Sequence, residues 1–155
     1  MEYYFSSKNS PKFDILHINK ARTLTDMEII LIRHGESIGN ALRGDEAVFT
    51  GRWDCDLTQA GYLQAEALRN CSLLDNVDIY YCSPLKRAVQ TANAFLNAEL
   101  VIDERIQERS LGVFEGKKIA DVKSDPQYAK FFSDLCCFCC FRRIHFEYIC
   151  GLSGR

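Results

Sequence analysis

Three short segments carry residues whose types and spacing suit phosphoryl chemistry. The first is Arg33-His34-Gly35-Glu36. A neutral imidazole is a nucleophile whose free nitrogen can attack phosphorus, provided the other ring nitrogen donates to a carbonyl that fixes the tautomer. Arg33 stays charged at any working pH and presents a fork that matches phosphate oxygens. Gly35 permits close backbone approach to an anion, and a helix start after it would offer free N–H groups. On these four residues alone, an exposed strand-end histidine without a role competes equally. The second segment is Ser83-Pro84-Leu85-Lys86-Arg87. Arg87 falls in a helical first turn, where a cation opposes the helix dipole, which hints at an anionic partner. A solvated basic residue is the bland alternative. The third is Gln107-Glu108-Arg109. A carboxyl group there could protonate a leaving oxygen and later activate water; taken alone, a surface glutamate is the plainer reading.

The elements that position these residues follow from hydrophobic pattern. Glu28 to Arg33 contains Ile29-Ile30-Leu31-Ile32, four apolar residues of which three are β-branched, and reads as a buried strand. His34-Gly35 ends it, and a short helix is expected near Ser37 to Leu42. A loop rich in Gly and Asp runs to about Asp56. Thr58 is a plausible N-cap for a helix to about Asn70, with Ala60, Leu63 and Ala67 expected inward. Val77 to Cys82 reads as a second strand. Ser83-Pro84 reads as a capping hydroxyl followed by proline at the first helical position. Leu85, Ala88, Val89, Ala92, Phe95 and Leu96 then recur at helical spacing. Glu99 to Ile102 is a third strand, followed by a loop with Glu108 and a weaker helical stretch from Lys117 to Leu135. Strand-helix alternation of this kind predicts an α/β fold with a mainly parallel sheet flanked by helices. Ligands then bind at the carboxyl ends of strands, so the loops after His34 and Ser83 should open onto one edge.

Composition narrows the function classes. The chain has 155 residues, with 19 Lys+Arg against 21 Asp+Glu, a net charge of −2. That length suits one domain. It lacks the basic excess of a nucleic-acid binder, and no nucleic-acid partner is expected. No apolar run reaches the roughly 18–20 residues of a membrane span. The N-terminus does not show a charged start followed by an apolar core, so no secretory signal is expected and a cytoplasmic location is the simplest reading. Eight cysteines are present, but five of them (Cys136, Cys137, Cys139, Cys140 and Cys150) fall in the last 20 residues. That clustering is unlike a secreted disulfide framework. Three regions are expected: an N-terminal extension over 1–26, ordered at most around Phe13 to Ile18; a domain over 27–135; and a divergent Cys-rich tail over 136–155.

Together the segments resemble the histidine phosphatase superfamily, branch 1, with its phosphoglycerate mutase-like fold. The resemblance rests on Leu31-Ile32-Arg33-His34-Gly35-Glu36-Ser37 with Asn40, on Thr50-Gly51 followed by Asp56-Leu57-Thr58 and Gly61, on the Ser83 to Ala92 stretch, and on the Glu108 to Gly116 stretch. It implies that His34 is the phosphorylated nucleophile and Glu108 the proton donor. Arg33 and Arg87 would clamp the phosphoryl group, and Asn40, Thr50 and Gly51 would line the substrate loop. No metal or other cofactor is implied, and the partner is a small phosphorylated substrate. The oligomeric state is not readable.

The resemblance weakens near Leu135. The family completes its pocket with a second histidine in a Ser-His-Gly or similar motif, at the end of a later strand beside the first. This chain has three histidines, His17, His34 and His145, and none stands in such a motif. The fold is therefore expected to be incomplete at its C-terminus, with a truncated or frame-shifted end favoured. A metal site using Cys136, Cys139, His145 and Cys150, and lipidation beside Arg142-Arg143, are the other readings of this tail. Leu111 stands where mutases of the family carry an aromatic residue, and the arginine pair lies only in the tail. The expected activity is thus a phosphohydrolase acting on a small phosphorylated metabolite through a phosphohistidine. A phosphoglycerate mutase-like phosphotransferase and a catalytically inactive truncated member are the alternatives.

Overall fold

Residues along the strand before His34 alternate between two environments, and that alternation sets the core. Ile30 and Ile32 are 2% and 0% exposed, whereas Ile29 and Leu31 are only half-buried. Successive side chains of a strand point to opposite faces, so the even positions look inward. This computed structural model describes residues 15–19, 27–131 and 148–154. Strand β1 (Ile15–Asn19) pairs antiparallel with β2 (Met27–Arg33). Helix α1 (Ile38–Ala41) and helix α2 (Gln59–Glu66) follow, then β3 (Ile79–Cys82), helix α3 (Lys86–Phe95), β4 (Leu100–Ile102), helix α4 (Ile119–Val122) and β5 (Tyr148–Gly154).

The five strands form one sheet in the order β1-β2-β5-β3-β4. β2, β3 and β4, the three strands legible in the sequence, run in one direction. Helices pack on the inward side, where Leu68, Ala88 and Ala92 meet Ile30, Ile32, Tyr80 and Cys82. The α/β class therefore holds. β1 and β5 run the opposite way. β5 comes from the region expected to be tail, and it sits between β2 and β3, with Tyr148 opposite Arg33 and Ile149 opposite Cys82. Its glycines at 151 and 154 weaken any strand pattern, so only pairing on both sides defines it. Of the stretch expected to be ordered near Phe13 to Ile18, Ile15 to Ile18 belong to β1, and Phe13 and Asp14 lie outside the described residues.

Two helix readings need correction. The inner face of α2 is Gly61 and Ala65, continuing to Leu68 in the 3₁₀ turn at Ala67–Asn70; Ala60 and Ala67 are exposed, and Leu63 is 57% exposed. The helix is turned so that its glycine, not its leucine, meets the β2–α1 connection, because that approach leaves no room for a Cβ. Helix α3 starts later than Ser83-Pro84 suggests. Leu85 is still extended, and the first helical N–H, on Lys86, donates to Asp54 Oδ1 at 2.7 Å. The cap is a carboxylate from a distant loop, which no local pattern reveals. The weaker helical stretch resolves into α4 and a helical segment at 126–131, and its end, like Cys136, Cys137, Cys139, Cys140, Arg142, Arg143 and His145, lies outside the described residues.

Candidate active site

β2 ends at Arg33 and delivers His34 to the edge where β3 also ends. His34 Nδ1 lies 2.6 Å from the carbonyl oxygen of Gly35. A carbonyl only accepts, so Nδ1 carries the proton and Nε2 carries the lone pair. Burial pulls the imidazole pKa down to about 4; the Gly35 bond works against that, and Arg87 and Arg33 add to the depression. The ring is neutral at pH 7, the form a nucleophile requires.

The backbone around His34 is gripped from two helices. Gly35 N–H donates to Thr91 Oγ1 at 2.9 Å, and that hydroxyl donates to Arg87 O at 2.7 Å. Glu36 N–H donates to Gln64 Oε1 at 2.8 Å on α2. Glu36 O accepts from Thr58 N at 2.9 Å, and the Thr58 hydroxyl donates to Glu36 Oε1 at 2.9 Å. The same hydroxyl caps α2 by accepting from Gly61 N, as expected for Thr58. Gly35 was expected to admit an anion; instead its bare Cα admits the backbone of Gly61. The helix-start N–H groups are also committed in part. Ile38 N–H donates to Asp56 O at 2.9 Å and Asn40 N–H to Ser37 Oγ at 3.3 Å.

Arg87 is 2% exposed, which excludes the solvated reading. Its Nη1 donates to Trp53 O at 2.8 Å and its Nη2 to Gly51 O at 2.7 Å. The guanidinium thus binds the 51–53 turn to α3 and stands beside His34. Gly51 has φ 44°, and a Cβ there would reach 2.8 Å from Leu111. The Glu108 loop is tied to the same turn. Arg52 Nε donates to Glu108 O at 2.7 Å. Glu115 Oε1 accepts from Arg52 N at 3.0 Å, Leu111 N at 2.8 Å and the Ser110 hydroxyl at 3.0 Å. Burial opposes that carboxylate, but the bonds from Leu111, Arg52 and Ser110 outweigh it and hold its pKa below the ordinary value.

These ties bring all seven residues named from the sequence around one cavity of about 300 Å³: Arg33, His34, Asn40, Thr50, Gly51, Arg87 and Glu108. Val48, Phe49, Arg109 and Leu111 complete its lining. Sequence reasoning gave Val48 and Phe49 no part. Their signal was an apolar pair inside a polar loop. Phe49 is fixed by ring contacts with Phe114 and Tyr128 at centroid distances of 6.2 and 6.0 Å. Among the described residues no group of three or more His, Cys, Asp or Glu is arranged to hold a metal ion. Nor is any described helix long and apolar enough to cross a membrane.

The model of the histidine phosphatase superfamily, branch 1, matches residues 29–137, and the chain belongs to that superfamily. It is 42% identical over 92 residues to a candidate phosphoserine phosphatase 2 of Hydrogenobacter thermophilus, covering 57% of this chain and 43% of the relative. It is 41% identical over 118 residues to a 2,3-bisphosphoglycerate-dependent phosphoglycerate mutase of Corynebacterium efficiens, covering 68% of this chain and 45% of that one. A phosphoserine phosphatase from Entamoeba histolytica, solved in complex with 3-phosphoglyceric acid, superposes with a TM-score of 0.55 at 34% identity, covering 68% of this chain and 51% of that one. The chain thus spans about half the length of these relatives.

Proposed function

We propose that this superfamily member is a phosphohydrolase that removes a phosphoryl group from a small phosphorylated metabolite by way of phospho-His34. The observation that carries the reading is a neutral, Nδ1-protonated imidazole on the wall of a cavity shared with the guanidinium groups of Arg33, Arg87 and Arg109 and the carboxyl group of Glu108. His34 Nε2 attacks phosphorus while the bond to the ester oxygen breaks, and Glu108 gives that oxygen its proton. Water then attacks the phosphohistidine, its proton passing to Glu108. Inorganic phosphate leaves, and the imidazole is again neutral. Arg33 and Arg87 supply positive charge where the transferring oxygens accumulate negative charge. Asn40, Thr50 and Gly51 orient the substrate, and the chemistry calls for no cofactor.

Leu111 on the cavity wall supports hydrolysis over mutase chemistry. Similarity to mutase-named relatives favours the second reading, in which an acceptor hydroxyl takes the place of water. The two differ in product. A chromogenic phosphate ester incubated with the full chain should release inorganic phosphate, and acid-free quenching with labelled phosphate should trap label on His34. His34→Ala should abolish both. Equal phosphate release by the parent and His34→Ala proteins overturns the proposal, and label appearing on an added acceptor alcohol with little free phosphate favours the mutase.

A further inference from the structure

The residue that sets His34's tautomer is Gly35, but Gly35 carries no side chain with which to hold its own carbonyl in place. Its peptide unit with Glu36 is planar and trans, so the Gly35 C=O and the Glu36 N–H point to opposite sides of one rigid plate. One side of that plate accepts from His34 Nδ1 at 2.6 Å. The other side donates to Gln64 Oε1 at 2.8 Å. Fixing one side fixes the other. Glycine makes such a grip necessary, because it can rotate both flanking planes at little steric cost. The plane before it is held separately, by Gly35 N–H on Thr91 Oγ1. The carbonyl after it is held by Thr58.

We propose that Gln64 is a positioning residue for His34: its side-chain carbonyl, acting through the Gly35–Glu36 peptide plane, holds the Gly35 carbonyl on Nδ1 and leaves Nε2 as the nucleophilic nitrogen. This role rests on reading His34 as the phosphoryl acceptor. Gln64 itself is absent from the cavity lining, so its influence on substrate is indirect. Its side chain must present an acceptor, since Glu36 N–H is a donor. A carboxylate of the same length satisfies that need; an alkyl chain or an ammonium does not. Without the acceptor the plane can turn, Nδ1 loses its partner, and the proton redistributes to Nε2, which blocks the attacking lone pair.

The test is ¹⁵N NMR of the histidine rings in the full chain at pH 7, with His34 assigned from the signals missing in His34→Asn. The parent protein should show His34 protonated at Nδ1 and bare at Nε2; the opposite tautomer in the parent overturns the proposal outright. Gln64→Leu and Gln64→Lys, both helix-compatible, should show a mixed or inverted tautomer, whereas Gln64→Glu should keep that of the parent. In turnover of a chromogenic phosphate ester, Gln64→Leu should lower kcat at least about tenfold with KM little changed, and Gln64→Glu should restore most of the loss. A folded Leu or Lys variant that keeps the parent tautomer refutes the inference. A parent protein with the expected tautomer but no turnover would instead count against the phosphohydrolase reading and leave the tautomer comparison decisive for Gln64.

Discussion

A methyl group on Gly35 would collide with the carbonyl oxygen of Gly61. The reciprocal change fares no better, since a Cβ on Gly61 would strike the carbonyl oxygen of Glu36. The first turn of α2 therefore lies backbone to backbone against the segment that follows His34. Neither obstacle is a flexible side chain. Gly35→Ala and Gly61→Ala should each destabilise the chain by about 1–3 kcal/mol, the usual range for overpacking. Because both changes push apart the same two segments, the double variant should lose less than the sum. Urea denaturation of the three proteins checks this, and full additivity would contradict it.

The neutral state of His34 makes stability fall in acid. Its folded pKa of about 4 lies below the ordinary value of 6.5. Between those values the unfolded chain binds the proton and the folded chain does not, so stability falls as pH drops from 6.5 toward 4, and the loss levels off below that. Burial in this structure is partial, so the loss amounts to up to about 3 kcal/mol. His34→Asn should remove this contribution, which shows as a smaller difference in denaturation midpoint between pH 7 and pH 4.5. For the same reason, protonation of His34 should not limit the rate anywhere between pH 5 and 8.

Arg87→Lys keeps the charge beside His34 but not the fork that grips Gly51 O and Trp53 O. One ammonium cannot span two carbonyls in that geometry as a planar guanidinium does. The expected cost is about 2–4 kcal/mol of stability from the two charge-assisted bonds and the buried polar atoms left behind. If the chain is the phosphohydrolase proposed above, the accompanying drop in turnover of a chromogenic phosphate ester should exceed that of Lys118→Ala, whose pair with Glu46 is solvent-exposed and therefore weak. Thermal melts and initial rates of the two variants compare them directly.

Glu115 connects the turn that Arg87 holds to the loop that carries Glu108. Glu115→Gln keeps one acceptor oxygen but loses the charge that strengthens three hydrogen bonds to it. Hydrogen exchange at the amides of Arg52 and Leu111 should quicken about tenfold, matching a local loss of about 1–2 kcal/mol. In the parent, the lowered carboxylate pKa means that this stabilisation is present above the ordinary value of 4.5 and is lost as pH falls through the folded value. Unchanged exchange at both amides would contradict the bridging role.

Much of the fold was written in local pattern. The four apolar residues of β2, the stripe from Leu85 to Leu96 and the cap at Thr58 each follow from a repeat or a single side chain, and each is where the pattern put it. The rotation of α2 was not, because Leu63 looks like a core residue until the approach of Gly61 to Glu36 is known. The start of α3 is not legible locally, because the carboxylate that caps Lys86 N–H, Asp54, is 32 residues away. β5 is not legible either, because a strand with two glycines has no signature apart from its neighbours.

The sequence by itself determined which groups could react. The types and order of Arg33, His34, Arg87 and Glu108 are chemical facts that no folding can alter. Tertiary structure decided how those groups are held and in what state. It turned Arg87 into an anchor for two carbonyls, used the missing side chain of Gly35 to admit a helix, and lowered the pKa of His34 by burial and neighbouring charge. Those outcomes depend on atoms far apart in the chain, brought within a few ångströms by packing of α2 and α3 against the end of β2, and distances of that kind leave no trace in residue spacing.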